Sequence, residues 1–594
     1  MKNTCRSLNI RYLLLLLLPV QMAVAASGLP TQPACSERPD IAIWISPRDP
    51  EAARSFKVML VNTKAALSEF TMTDPDGRLR PLDTIERGGP PWSATARIDY
   101  AKPGIYRFEA LQNGKVASCR EVNVGRVNQS GYRGWNEETE AFFSAWIEQL
   151  FDAPLDEDLS FSSLDPVLRN DRRNFLHNYL GLAEDNALVA TPDCADLPYL
   201  LRAYFAWKIG LPMSYHGCNR GNPNRPPDCP AFTLTERIPN HSVGSFNAYV
   251  RQLFDGVHSG NGRTALDDDH TDFYPVELRR EYLRPGTLYA DPYGHTLVIV
   301  KWVPQTQEHS GLLLAVDAQP DNSVTRKRFW EGTFLYSNDV PGAGPGFKNF
   351  RPLVTTENGR SQLLPNLSLA MDQEFIPYDI EQANLNAENF YARMSNLINP
   401  AGLEPAKAYE AMLDALMEQL ETRVTSVDNG EQYMRGHSGS VVSMPDGAAI
   451  FETSGPWEDY ATPSRDLRLI IAINVLQSLA QRIVRYPELF KLDDRKPEIA
   501  KAEVETLHEQ RTQERGITYT RSDGTAMRLR VADILARKTA LEMAYNPNDC
   551  IEIRWGAAQQ TEDYAACRRH APVGQRAKME QYRDWFRYAK RPSR

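Results

Sequence analysis

The cysteines constrain this chain more than any other feature, because its N-terminus reads as an export signal. Lys2, Arg6 and Arg11 precede the apolar run Leu13–Leu18, and Ala23-Val24-Ala25 supplies a small-residue cleavage signal. Residues 1–25 are therefore expected to be a signal peptide. The mature chain is then periplasmic or secreted, where disulfides are permitted. No cysteine follows the cleavage signal, so a lipid anchor is not indicated. Removing the leader discards Cys5 and leaves seven of the eight cysteines. An odd count in an exported protein requires a free thiol or an intermolecular bridge. Cys35 and Cys119 bracket the first β-rich segment, Cys218 and Cys229 close a Pro/Asn/Arg-rich loop, and Cys550 and Cys567 close a C-terminal loop, leaving Cys194 unpaired. A competing connectivity joins Cys194 to Cys218 and frees Cys229.

Losing Lys2, Arg6 and Arg11 with the leader lowers the formal net charge of −9 by three, to −12, which argues against a nucleic-acid partner or an anionic membrane surface. The leader's apolar run is too short to span a bilayer. No later stretch approaches ~20 uninterrupted apolar residues, so stable membrane insertion is not expected.

The pattern predicts a multidomain α+β chain. Residues 30–125 contain short β-branched and aromatic runs (IAIWISP, FKVMLVN, EFTMTD, ATARIDY, GIYRFEAL, VASCREVNV) separated by the turn signals DPDG, GGPP and KPG. Six or seven such runs with a bracketing disulfide predict a β-sandwich of immunoglobulin-like type. Helical spacing begins near residue 133, and a central α+β domain is expected over 130–380. Within it, residues 216–275 read as an inserted, mostly loop-like segment with one helical piece near SVGSFNAYVRQLFDGVH. HTLVIVKWV and GLLLAVDAQ read as two strands. Residues 381–594 read as mostly helical, with a hairpin at GITYTRSDGTAMRLRV.

Cys194 lies where PDCADLPYLLRAYFAWKIGLP turns from loop to helix. A thiol in the first turn of a helix feels the positive end of the macrodipole, which favours the thiolate, the nucleophilic form. Such a nucleophile needs a base, and the base an orienting group. His295 opens the first of the two central strands. A hairpin centred near Gln307 puts it opposite Gln319 and diagonal to Asp317, with all three side chains on one face. Asp317 is the expected orienter of the ring and Gln319 the alternative. The structural reading of each residue is plainer: an inert buried thiol, a polar strand edge and the start of a turn.

The string around Cys194 resembles the nucleophile motif of NlpC-type cell-wall endopeptidases, in which Asp-Cys-Ser-Gly opens a helix. LRPGTLYADPYGHTLVIV resembles their segment in which Pro-Gly-Asp precedes a strand beginning Gly-His. Transglutaminase-like peptidases share the order Cys, His, Asp. The resemblance covers roughly residues 175–320. It implies a papain-like fold, Cys194 as nucleophile and His295 as base, and activity on peptidoglycan stem peptides. The third residue falls on Asp317 by position alone. The chain departs from the pattern at Ala195-Asp196 (for Ser-Gly), at Thr287 (for the acid), and in the long insertion. Tyr179 is the nearest match to an upstream tyrosine that would cap the oxyanion.

The expected activity is a cysteine peptidase or amidase acting through a thioester, on peptide or peptidoglycan. The alternatives are a non-catalytic papain-fold module binding peptide or cell wall, and an envelope assembly protein. No cofactor or metal is expected, since no histidine pair has metal-site spacing. Asp267-Asp268-Asp269-His270 with Asp272 lacks the Gly and Glu of a calcium loop and reads as a solvated acidic loop. GHSGS (436–440) misses the last Gly of a serine-hydrolase elbow and is followed by an apparent strand, VVSMP, rather than a helix.

Overall fold

The computed structural model describes residues 35–592 apart from 67–68, 129–133, 158, 223–224, 239–241, 320, 339–342, 452 and 454. The expected signal peptide lies outside the described residues. The fold is mixed α and β, with several antiparallel sheets and a helical C-terminal region.

The first region forms two four-stranded antiparallel sheets. One orders its strands Ile41–Ser46, Phe56–Asn62, Trp92–Ile98, Ile85–Arg87; the other orders them Leu79–Pro81, Glu69–Thr73, Gly104–Gln112, Lys115–Val124. Ile43, Val58 and Leu60 of the first meet Phe70, Met72 and Phe108 of the second in one core. Eight strands therefore stand where six or seven were expected. The extra pieces, Leu79–Pro81 and Ile85–Arg87, are three-residue edge strands too short to show alternation.

Two strands of this region, Ile41–Ser46 and Phe56–Asn62, are buried along their whole length. This explains why they read as continuous apolar runs. Their outer face packs on the central region, where Trp44 stacks on Phe142 with ring centroids 4.0 Å apart. Lys57 pays for its place in this contact with a pKa lowered to about 8 by burial, and its ammonium donates to the Asn174 carbonyl at 2.8 Å.

The central region is built on a seven-stranded antiparallel sheet in the order Phe273–Pro275, Gly346–Phe350, Leu288–Ala290, Thr296–Val303, Leu312–Ala318, Val324–Arg328, Ser160–Phe161. Val298, Val300, Leu314 and Val316 point to the helices Glu137–Leu150 and Asp196–Ile209. Leu297, Ile299, Leu313 and Ala315 pack with Phe390 and Met394 of the helix Ala387–Ile398. That helix, assigned above to the C-terminal stretch, thus covers the sheet's second face.

Residues 216–275 contain more regular structure than the sequence suggests. Met213–Gly217 and Ala231–Thr235 pair as a hairpin, and Cys218–Cys229 staples the chain just beyond its last pair, Gly217 and Ala231. The helix Val243–Gly256 follows. Pro, Asn and Gly in the intervening turn hid the hairpin from a reading based on composition.

The C-terminal core gathers the helices Pro405–Gly436, Pro463–Arg485, Pro497–Glu514 and Val573–Arg587 around Leu416, Leu420, Ile470 and Leu476. The predicted hairpin is present as Gly516–Thr520 and Ala526–Arg530. Gly436 ends a helix, and Val441–Met444 is irregular rather than a strand, so GHSGS has no elbow geometry. By length and composition the helical stretch Pro456–Arg485 could cross a membrane, yet Leu469, Ile470, Ile473 and Leu479 are buried in this core.

A buried carboxyl at the junction of the first and central regions gives a stability prediction. Glu148 is pushed up to about 8 by burial, against the charges of Lys301 and Arg87. The folded chain therefore holds a proton there at pH values where the unfolded chain, near 4.5, has released it. Stability falls as pH rises through that window. Glu148→Gln should leave the melting temperature nearly unchanged at pH 4.5 and raise stability by several kcal/mol, about 4–5, at pH 9. Thermal denaturation across that range checks the sign.

Candidate active site

Asp193 starts the turn that carries Cys194. Its carboxylate accepts from the N–H groups of Ala195 (2.8 Å) and Asp196 (3.0 Å), and its carbonyl accepts from Leu197 at 3.0 Å. It therefore caps the helix Asp196–Ile209, satisfying donors that would otherwise be orphaned. Pro192 before it and Gly210 after it (φ 84°) bound the element. Cys194 sits in the capping turn, partly buried, with a free thiol. The pairs Cys35–Cys119, Cys218–Cys229 and Cys550–Cys567 are bonded, so the competing Cys194–Cys218 bridge is absent.

The Cys194 sulfur lies 4.0 Å from the carbonyl oxygen of Gly294, and the Cys194 carbonyl accepts from the Thr296 hydroxyl. These contacts flank His295. Histidine 295 stands one residue before the strand Thr296–Val303, and its Nε2 is 2.9 Å from Asp317 Oδ2. The register Val298–Val316 follows the expected hairpin centre, and the bulge between Ile299 and Lys301 falls on the side away from the site. Gln319 donates its amide to the same Asp317 oxygen at 2.7 Å. Burial opposes ionisation of Asp317, but the hydrogen bond from His295 and the Lys327 charge hold it below the usual carboxylate range. An ionised Asp317 takes the Nε2 proton of a neutral His295 as its hydrogen bond, leaving Nδ1 as the basic nitrogen.

One electrostatic expectation is reversed. Burial pushes the Cys194 thiol well above its ordinary value, and Asp193, Asp291 and Asp317 add to the shift. The capping carboxylate Asp193 opposes the helix dipole at the very turn where the dipole would favour a thiolate. The resting sulfur is protonated.

The loop between the strands Leu288–Ala290 and Thr296–Val303 is tied by Asp291, which the sequence reading missed. Its Oδ1 accepts from the N–H groups of Tyr293 (2.7 Å) and His295 (2.9 Å), and its own N–H donates to the His295 carbonyl at 2.8 Å. Gly294 has φ +102°, and a Cβ there would lie 3.0 Å from Ser259 Oγ, so glycine is required. The same contact places part of the 216–275 segment against the site. An Asp directly after a strand and three residues before a Gly-His pair was the available signal.

Tyr179 does not cap this turn; it packs on the first region, its carbonyl accepting from Arg48 at 2.9 Å. Its hydroxyl, pushed up to about 12 by burial, lies near Arg120 and Arg48. Asp272 is not part of a solvated loop either. It is buried, with Oδ1 2.7 Å from His216 Nδ1 and Oδ2 accepting from the Tyr199 hydroxyl at 2.6 Å. Cys550, Glu552 and Cys567 have ligand spacing, but the two sulfurs are bonded to each other and Glu552 accepts from Ser522, so they hold no metal site.

Comparisons with protein-family models, with curated proteins and with solved structures found no match to the chain.

Proposed function

We propose that this protein is an exported cysteine peptidase or amidase of papain-like type, carrying an immunoglobulin-like sandwich ahead of its catalytic region. The observation that carries the reading is the His295–Asp317 pair, whose histidine follows Gly294, the residue whose carbonyl oxygen lies 4.0 Å from the free Cys194 sulfur. Three disulfides are compatible with an oxidising, periplasmic or secreted setting. The resemblance to NlpC-type endopeptidases around Cys194 and His295 points to peptidoglycan stem peptides as substrate.

In this reading the Cys194 sulfur attacks an amide carbonyl while its proton passes to His295 Nδ1, so attack and deprotonation are coupled rather than preceded by a resting thiolate. The protonated ring gives that proton to the leaving amine, and the C–N bond breaks to leave a thioester. Water, deprotonated by His295, then attacks the thioester, releasing the acid and restoring the thiol. Asp317 orients the ring and stabilises it when charged.

A second reading, a non-catalytic module that binds peptide or cell wall, is favoured by the carboxylates and burial that keep Cys194 protonated. Incubation with purified peptidoglycan and with a mixture of unstructured peptides, followed by mass analysis, separates the two. The enzyme releases new amine and carboxyl termini that Cys194→Ala abolishes. Retention of unaltered ligand by both proteins favours the module.

A further inference from the structure

We propose that the helical C-terminal region completes the candidate active site, with Arg468 and Arg465 as positioning residues for His295. The inference rests on the reading of Cys194 and His295 as nucleophile and base. The two arginines stand three residues apart on the helix Pro463–Arg485 and so share one face. Each reaches a different support of the imidazole. Arg468 pairs with Oδ2 of Asp291, whose fully buried carboxylate holds the Tyr293 and His295 N–H groups through its other oxygen. Its second guanidinium nitrogen donates to the Thr333 carbonyl at 3.2 Å, which fixes its direction. Arg465 lies 3.5 Å from the Gln319 amide oxygen, and Gln319 in turn donates to the Asp317 oxygen that faces His295. From the far end of the chain Arg591 donates to the Tyr293 carbonyl at 2.6 Å and lies over the Tyr293 ring. The backbone and the side chain of His295 are thus both held by groups that end on the C-terminal region.

The charges give the arrangement a measurable consequence. The charged groups around the thiol and the imidazole are Asp193 from the capping turn, Asp291 from the loop, Asp317 and Lys327 from the neighbouring strands, Arg465 and Arg468 from the helix, and Arg591 on the Tyr293 carbonyl. Arg468 is the cation that neutralises Asp291. Burial disfavours the Asp291 charge, and Arg468 together with His295 holds the group ionised. Without the guanidinium, burial drives Asp291 toward its neutral form, which grips the Tyr293 and His295 N–H groups more weakly, and whatever charge it keeps confronts the developing thiolate unneutralised.

The test is the pH dependence of Cys194 labelling by iodoacetamide in full-length protein, mapped by mass spectrometry. Arg468→Met should slow labelling at pH 7.5 about tenfold and move the profile upward by about one pH unit, the two being the same change in thiolate. Arg465→Met should do so to a smaller extent, and Arg468→Lys should restore part of the rate. Arg482→Gln is the control for docking alone, because Arg482 on the same helix pairs with Glu331. It should leave the profile in place. Should Arg468→Met fail to fold, Arg468→Lys and Arg465→Met carry the test. Profiles of the Arg468 and Arg465 variants that superimpose on the parent, or move only as Arg482→Gln moves, overturn the inference alone. Labelling in the parent that is indifferent to His295→Ala overturns the reading of the site, and the inference with it.

Discussion

Replacing His295 by alanine should lower turnover by about 10²–10⁴-fold, the usual contribution of a positioned general base, while the protein stays folded. The imidazole is partly exposed at the start of its strand and its partners are polar, so its removal opens no apolar cavity. Asp317→Ala should cost less than His295→Ala but more than Gln319→Ala. Asp317 meets the ring directly at 2.9 Å, whereas Gln319 acts through Asp317. If Gln319→Ala loses activity and Asp317→Ala keeps it, the amide is the orienter. Steady-state kinetics on whichever amide substrate is cleaved, with circular dichroism as the folding control, rank the three.

Asp466→Ala should be among the most destabilising single changes in the chain, by about 3–5 kcal/mol. Arg423 donates through Nε and Nη2 to the two Asp466 oxygens at 2.7 and 2.8 Å, and both side chains are buried. The pair ties the helix Pro405–Gly436 to Pro463–Arg485, and the Arg423 guanidinium lies 4.6 Å from the Trp555 ring centre. Removing the carboxylate leaves a buried cation with no countercharge, a loss comparable to the whole stability of a marginal domain. Substituting both residues with apolar ones of similar volume should cost much less. Denaturant unfolding of the single and double variants measures the difference.

How far the site was legible depended on what each signal encodes. The hairpin carrying His295 and Asp317 was legible because its register is set by alternation near the site, and the bulge after Ile299 comes too late to disturb it. The helix that follows Cys194 was legible from Pro192 and Asp193 before it and Gly210 after it. The electrostatics of the thiol were not. A helix dipole can be read from sequence, and Asp193 adjoins the thiol in the chain, but burial and the carboxylates of Asp291 and Asp317 reach the sulfur only through the fold. Asp291 and Arg468 are separated by 177 residues, so no local pattern could join them. The hairpin stapled by Cys218–Cys229 was hidden for another reason. Its connecting turn is rich in Pro and Asn, and composition reports the turn rather than the strands that frame it.

The most direct test of the account is the rate of Cys194 alkylation by a small uncharged reagent as a function of pH, in the parent protein and in His295→Ala. Because burial and the surrounding carboxylates hold the thiol protonated, labelling of the parent should be slow at mildly acidic pH and rise into the alkaline range. At neutral pH it should exceed that of His295→Ala by about tenfold or more, since the imidazole accepts the proton as the sulfur reacts. Equal rates in the two proteins across the whole range would contradict the assignment of His295 as the base for Cys194.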